Sequence, residues 1–171
     1  MEEEKILLEA VLCFLVRGEK IRLAQKTQKI GEGYLNGYGG GIEEGEKPRE
    51  AVVREIWEEA WIKVNPKHLK KVAIIYFHNT RSDGSTFVCR VHVYIVRKWQ
   101  GKPKETETMV KPTMFNINNL PFEKMMPADR IWLPIVLKGR KIIVVAKYGP
   151  FQKKLFGGVE IHEVSSLPDD E

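Results

Sequence analysis

The sequence predicts an α/β protein: a mixed β-sheet with helices packed on it. Two observations carry that prediction. β-rich apolar stretches lie on both sides of one strongly patterned helix. The chain also has the length and composition to bury a core, with 171 residues, 43% of them apolar and 30% charged. These values fit one soluble domain spanning residues 1–171.

The first element is the apolar run ILLEAVLCFLV at 6–16. A membrane span needs about 20 apolar residues. This run is shorter, contains Glu9 and lacks the small-residue cleavage site of a signal peptide, so a buried strand is expected. The turn signal Arg17-Gly18-Glu19-Lys20 and the stretch KIRLAQK at 20–26 complete a hairpin. Residues 27–45 hold seven of the 14 glycines and read as a loop. Residues 48–60 read as a helix, with Pro48 in the first turn, where its missing N–H is tolerated. Further strands are expected at 70–77, 86–99, 113–117, 141–148 and 157–164, with a turn-rich connection at 79–85. Residues 127–139 predict a short helix interrupted at Pro134, and 165–171 a mobile tail. Cys13 and Cys89 lie in apolar stretches without ligand spacing, as reduced thiols of a cytoplasmic protein would.

Charge singles out the helix. Residues 43–59 carry seven glutamates against Lys47, Arg49 and Arg54, a net of −4. Since the whole chain is +5, the remainder is +9. An acidic pocket in a basic body suits a polyanion bridged by metal, such as a nucleotide polyphosphate. At about 100° per residue, Glu55, Glu58 and Glu59 share one arc. Val53, Ile56, Trp57 and Ala60 occupy the other side and are expected to be buried. Three glutamates at i, i+3 and i+4 repel one another on a bare helix, and a hard divalent cation reverses that balance. The absence of His and Cys from the group argues against zinc. Arg54 can orient a glutamate or bridge back to Glu46, and the glycines before the helix let backbone approach phosphate or metal closely.

Gly40, Glu46, Arg54, Glu55, Ile56, Glu58, Glu59, Trp61 and Ile62 together resemble the Nudix box, G-x5-E-x7-R-E-U-x-E-E-x-G-U, where U is a bulky aliphatic residue. Eight of the nine defined positions match over 23 residues, and Trp61 stands where the pattern has glycine. With the glycine's left-handed conformation kept, tryptophan costs about 1–2 kcal/mol; alternatively the helix runs on another turn. The resemblance implies the αβα sandwich of the Nudix hydrolases. It implies that Glu55, Glu58, Glu59 and the Gly40 carbonyl hold Mg²⁺, with Mn²⁺ as an alternative. Glu55, Glu58 and Arg54 become the catalytic set, with Glu46 supporting Arg54. The first glutamate is the one most often credited with activating the water that attacks phosphorus.

A narrower resemblance, to the MutT-homologue branch that hydrolyses oxidised purine nucleoside triphosphates such as 8-oxo-dGTP, rests on LNGYGGG (35–41) and PFEKMMPADRIWLP (121–134). It implies that Asn36 and Asp129 contact the base, that Lys26 and Gly39 line the substrate site, and that Met126 stands in for a base-stacking Trp. Leu35 and Ala128 replace a Trp and an acid of that branch. A further metal-assisting glutamate falls on Glu105 or Glu107. A nucleoside triphosphate is the expected partner of a monomeric enzyme, with no membrane and nucleic acid not favoured. The alternatives are sister hydrolases of RNA 5′ ends, dinucleoside polyphosphates or nucleoside diphosphate sugars, and a non-catalytic nucleotide-binding module.

Overall fold

The computed structural model of the chain describes residues 6–168. β1 (Glu9–Arg17) and β2 (Lys20–Lys26) form the expected hairpin, pairing antiparallel from Leu15↔Arg22 to Arg17↔Lys20. β1 is a central strand. Phe14 and Val16 are buried on one face, and Cys13 and Leu15 on the other. A strand covered on both faces reads as a continuous apolar run rather than an alternating one.

The loop expected at 27–45 contains two short strands, β3 (Leu35–Asn36) and β4 (Tyr38–Gly41). Glycine hides β4 in the sequence, because strand propensity resides in side chains that pack on a pleated surface. β4 runs antiparallel to β1, with Ala10↔Gly41 through Cys13↔Tyr38. One edge of β1 is thus shared, by β4 along its first half and by β2 at its end.

α1 (Pro48–Ala60) follows, then β5 (Leu69–Thr80), β6 (Thr86–Val96), β7 (Met109–Asn116), α2 (Asp129–Leu137), β8 (Lys141–Tyr148) and β9 (Glu160–Val164). The sheet order is β3-β2-β1-β6-β5-β8-β9, with β4 beside β1 and β7 beside β2. β1–β6 and β5–β8 are parallel and the other pairs antiparallel, so the sheet is mixed. α1 covers one face through Val52 and Ile56, and α2 the other through Trp132, Leu133 and Val136. The sandwich expected from the sequence is therefore present.

Several boundaries differ from expectation: β6 ends at Val96 rather than 99, and β9 begins at Glu160 rather than 157. β5 runs on into Asn79 and Thr80, because its ladder with β6 continues to Thr80↔Thr86. β7 begins at Met109, which pairs with Lys26. α2 passes through Pro134 without a break. Proline inside a helix loses one hydrogen bond, and the burial of Trp132, Leu133 and Val136 against the sheet offsets it. In the C-terminal segment, Pro168 accepts a hydrogen bond from Lys71 at 2.6 Å; residues 169–171 lie outside the described residues. Among the described residues, no helix is long and apolar enough to cross a membrane.

Candidate active site

α1 begins at Pro48, and Glu50 accepts the Lys47 N–H at 3.2 Å just before it. Ala51, Val52, Ile56 and Ala60 bury one side of the helix. Glu55, Glu58 and Glu59 face a cleft of about 790 Å³, whose lining also includes Gly39, Gly40 and Gly41 of β4. The helix departs from the expected wheel at two positions. Trp57, expected inside, is 50% exposed, and Glu59, on the carboxylate arc, is only 8% exposed. Each lies at an edge of its arc, and on the Glu59 side β4 closes over the carboxylate, whose Oε1 accepts the Gly39 N–H.

Arg54 organises the site. Its Nε and Nη2 donate to the two oxygens of Glu46 at 2.8 and 2.9 Å, and Nη2 also donates to the Gly41 carbonyl at 2.9 Å. Nη1 reaches Glu55 at 2.8 Å and Glu58 at 3.3 Å. Only a planar guanidinium can satisfy so many acceptors at once. The Arg54 hydrogen bonds hold the Glu46 carboxyl below the usual range. Burial raises that of Glu55, with Arg54 opposing. Burial pushes Glu59 up to about 7, although its Oε1 accepts the Gly39 N–H at 2.8 Å.

Nudix hydrolases generally use divalent metal ions, and the donor chemistry here fits one. Three carboxylates and the Gly40 carbonyl form an all-oxygen set. Glycine at position 40 leaves Glu55 in place, since a Cβ there would stand 2.5 Å from Glu55 Oε1 and displace it. Among the described residues, no three carboxylate, imidazole or thiol groups stand close enough together to hold a cation as they are. Arg54 ties Glu55 and Glu58, and Gly39 ties Glu59. A cation joining this set would exchange with the longest of these contacts, Arg54–Glu58.

Lys26, Asn36 and Gly39 also line the cleft. Met126 and Asp129 are not among its lining residues. They are buried, 8% and 5% exposed, and Met126 lies under the 27–34 loop, its Sδ 3.5 Å from where a Cβ on Gly31 would stand. Asp129 accepts the Trp132 indole N–H at 3.2 Å, its Oδ2 has no partner, and burial pushes its carboxyl up to about 7. Both Glu105 and Glu107 line the cleft, with Glu105 accepting the Lys111 N–H at 2.9 Å. His92 is buried in β6, with Nε2 2.8 Å from Glu9 and Nδ1 2.8 Å from Lys71.

The far wall, which sequence reasoning missed, contains Phe77, Asn79, Phe87, Phe151 and Gln152. Gln152 donates to Asn79 at 2.9 Å. Phe151 and Gln152 both hold left-handed backbone, φ 56° and 55°. Consecutive strained residues of this kind cluster at ligand sites. Nothing in the local sequence marks them, because neither is a glycine or asparagine.

A NUDIX domain model matches residues 7–135. An "Oxidized purine nucleoside triphosphate hydrolase" of Danio rerio is 30% identical over 137 residues, 80% of this chain and 84% of the relative. The Mus musculus protein of the same name is 32% identical over 130 residues, 76% of this chain and 80% of the relative. A crystal structure of a mutator MutT protein from Bacillus halodurans superposes with TM-score 0.74 at 21% identity, covering 91% of this chain and 97% of that one. A MutT Nudix hydrolase from Burkholderia pseudomallei gives 0.63 at 23%, covering 74% and 95%. With the box geometry on α1 and a family match over most of its length, the chain belongs to the NUDIX family.

Proposed function

We propose that this Nudix hydrolase is a Mg²⁺-dependent nucleoside triphosphate pyrophosphohydrolase, releasing a nucleoside monophosphate and pyrophosphate from oxidised purine nucleotides such as 8-oxo-dGTP. The observation that carries the reading is that Glu55, Glu58 and Glu59 line one cleft together with β4, with Arg54 bonded to two of them. The names of the two vertebrate relatives support the substrate class.

Bound Mg²⁺, held by Glu55, Glu58, Glu59 and the Gly40 carbonyl, would neutralise charge on the phosphates and fix their orientation. The chain supplies the rest. Burial raises the Glu55 carboxyl, as it does that of Glu59, and so favours proton transfer to it from the attacking water. Arg54 fixes the direction of Glu55 and is itself anchored on Glu46 and Gly41. Lys26, Asn36 and Gly39 line the same cleft and are the groups we assign to the substrate. Met126 and Asp129, both buried outside the cleft lining in this structure, are the residues we assign to the base by the family resemblance. While buried, the Asp129 carboxyl keeps its proton near neutrality and is a donor for a base edge.

The test is turnover with Mg²⁺ on 8-oxo-dGTP, 2-hydroxy-dATP and dGTP, in wild type and Glu58→Gln. The expected result is release of pyrophosphate and a fall in kcat of about 10²-fold or more in the variant. Equal turnover by the two proteins on every nucleotide rules the assignment out. Affinity without phosphate release identifies a binding module instead.

A further inference from the structure

His92 is the buried histidine of the described residues, and the catalytic set does not use it. It lies in β6 between β1 and β5, and the partner on its β5 side, Lys71, is itself only 6% exposed. Lysine is almost never buried unless paired. Here three hydrogen bonds run in line: His92 Nε2 stands 2.8 Å from Glu9 Oε2, His92 Nδ1 stands 2.8 Å from Lys71 Nζ, and Lys71 Nζ donates to the Pro168 carbonyl at 2.6 Å. The last of these ties the segment that follows β9 to the sheet. Ser165, Ser166 and Pro168 are exposed and Leu167 is half-buried, so apolar burial does little to hold that segment.

The relay works in one protonation state. An ammonium only donates and a carboxylate only accepts. Nδ1 must therefore accept from Lys71 while Nε2–H donates to Glu9, which is the neutral imidazole. An imidazolium would turn an Nδ1–H towards the ammonium, donor against donor and cation against cation. Glu9 is already shared with Arg90, whose Nε donates to it at 2.8 Å, so Lys71 and Arg90 set two cations against one carboxylate. From α1, Arg49 stands 5.4 Å from the Tyr94 ring centroid, and Lys71 stands 5.9 Å from the same centroid. Residues 165–168 bring no titratable side chain. Burial keeps the His92 imidazole below its ordinary 6.5, with Glu9 opposing and Lys71 and Arg90 adding to the effect.

We propose that Glu9, His92 and Lys71 form a proton-operated latch on the C-terminal segment: neutral His92 holds Lys71 against the Pro168 carbonyl, and a proton taken from solvent onto Nδ1 drives Lys71 away and releases residues 165–168. Glu9 keeps the imidazolium through Nε2–H, so the added charge has a partner while Lys71 leaves. A histidine held below its ordinary value makes the latch complete above that value and weakens it as pH falls further. The inference stands apart from the nucleotide reading, because none of the three residues belongs to the metal or substrate set.

Cys13 and Cys89 are buried, so Ser166→Cys takes a nitroxide label selectively. Its electron paramagnetic resonance line shape, recorded from pH 8 to pH 4.5 on the full chain, reads the mobility of the segment, and far-UV circular dichroism follows the fold. The spectrum is expected to be restricted at pH 8. Below pH 6.5 the ratio of mobile to restricted label is expected to rise about tenfold per pH unit until the latched histidine also titrates, with the dichroism unchanged. In the same labelled chain, His92→Gln offers Lys71 an acceptor and Glu9 a donor without titrating, and is expected to stay restricted throughout. Lys71→Met is expected to be mobile at every pH. A labelled wild-type spectrum that does not change between pH 8 and pH 4.5 overturns the proposal, and that result needs no buried substitution to fold. A His92→Gln profile that titrates like wild type also overturns it, assigning the response to His162 or to the acids Asp169, Asp170 and Glu171 instead. So does a Lys71→Met segment that remains restricted.

Discussion

At the scale of single residues, the glycines of β4 divide their work in a way that a glycine-rich motif does not reveal. A Cβ on Gly40 would meet Glu55 Oε1 at 2.5 Å and its Cδ at 2.8 Å, the far end of a flexible side chain. A Cβ on Gly39 would fall against the Val11 carbonyl and stand 2.9 Å from Leu12 Cα, which is backbone of β1. Side-chain ends swing aside, whereas a paired strand gives way only by breaking its ladder. Gly40→Ala is therefore expected to lower kcat by about 10- to 100-fold while holding the melting temperature nearly constant. Gly39→Ala is expected to cost about 3 kcal/mol of stability or more. Calorimetry and steady-state kinetics on both variants check this pair, and a melting loss larger for Gly40→Ala than for Gly39→Ala contradicts it. The motif located the glycines; which neighbour each one meets follows from the β1–β4 register, a pairing of residues far apart in the chain.

At the scale of elements, α1 was the most legible part of the molecule. Its apolar period, Pro48 at the start and the carboxylate arc are local signals, and the helix spans Pro48–Ala60 as expected. Its end had two readings, and the structure has the left-handed one: Trp61 caps the helix, its N–H donating to Trp57 at 3.0 Å. A residue with a Cβ is strained there by about 1–2 kcal/mol. Trp61→Gly is thus expected to raise the midpoint of urea unfolding, by up to about 1 kcal/mol after the lost contacts with Trp57 and Lys104 are counted. An unchanged or lower midpoint means that those contacts outweigh the strain. The less legible elements share a different cause. Three of the four residues of β4 are glycine and bring no strand propensity, and the ends of β5 and β7 are set by partners rather than by their own residues. The far wall of the cleft joins Asn79 to Gln152, a contact that exists only because β5 and β8 pair in parallel.

At the scale of the whole molecule, the two halves of the sandwich differ in what their buried acids do. On the α1 face, the buried glutamates have Arg54 and backbone donors. On the α2 face, buried Asp129 accepts the Trp132 indole N–H, and its Oδ2 has no hydrogen-bond partner among the described residues. Burial pushes its carboxyl up to about 7 from the ordinary 3.8. A raised carboxyl is one whose native state keeps a proton that the unfolded chain has released. Its contribution to stability is complete below the unfolded value and is lost as pH rises through the folded one. At about 1.36 kcal/mol per pH unit, the loss between pH 4 and pH 7 amounts to about 4 kcal/mol at most. Asparagine does not titrate, so Asp129→Asn removes this dependence and leaves all others in place, those of Glu59 included. Urea unfolding of both proteins at half-unit steps from pH 4 to pH 8 gives the difference directly. The aspartate chain is expected to hold its greatest advantage over the asparagine variant near pH 4, to lose it steadily towards pH 7, and to run parallel to it above. A difference independent of pH, or one that grows with pH, shows that Asp129 is already ionised in the folded protein. It could not then offer a base edge the proton that the proposed recognition requires.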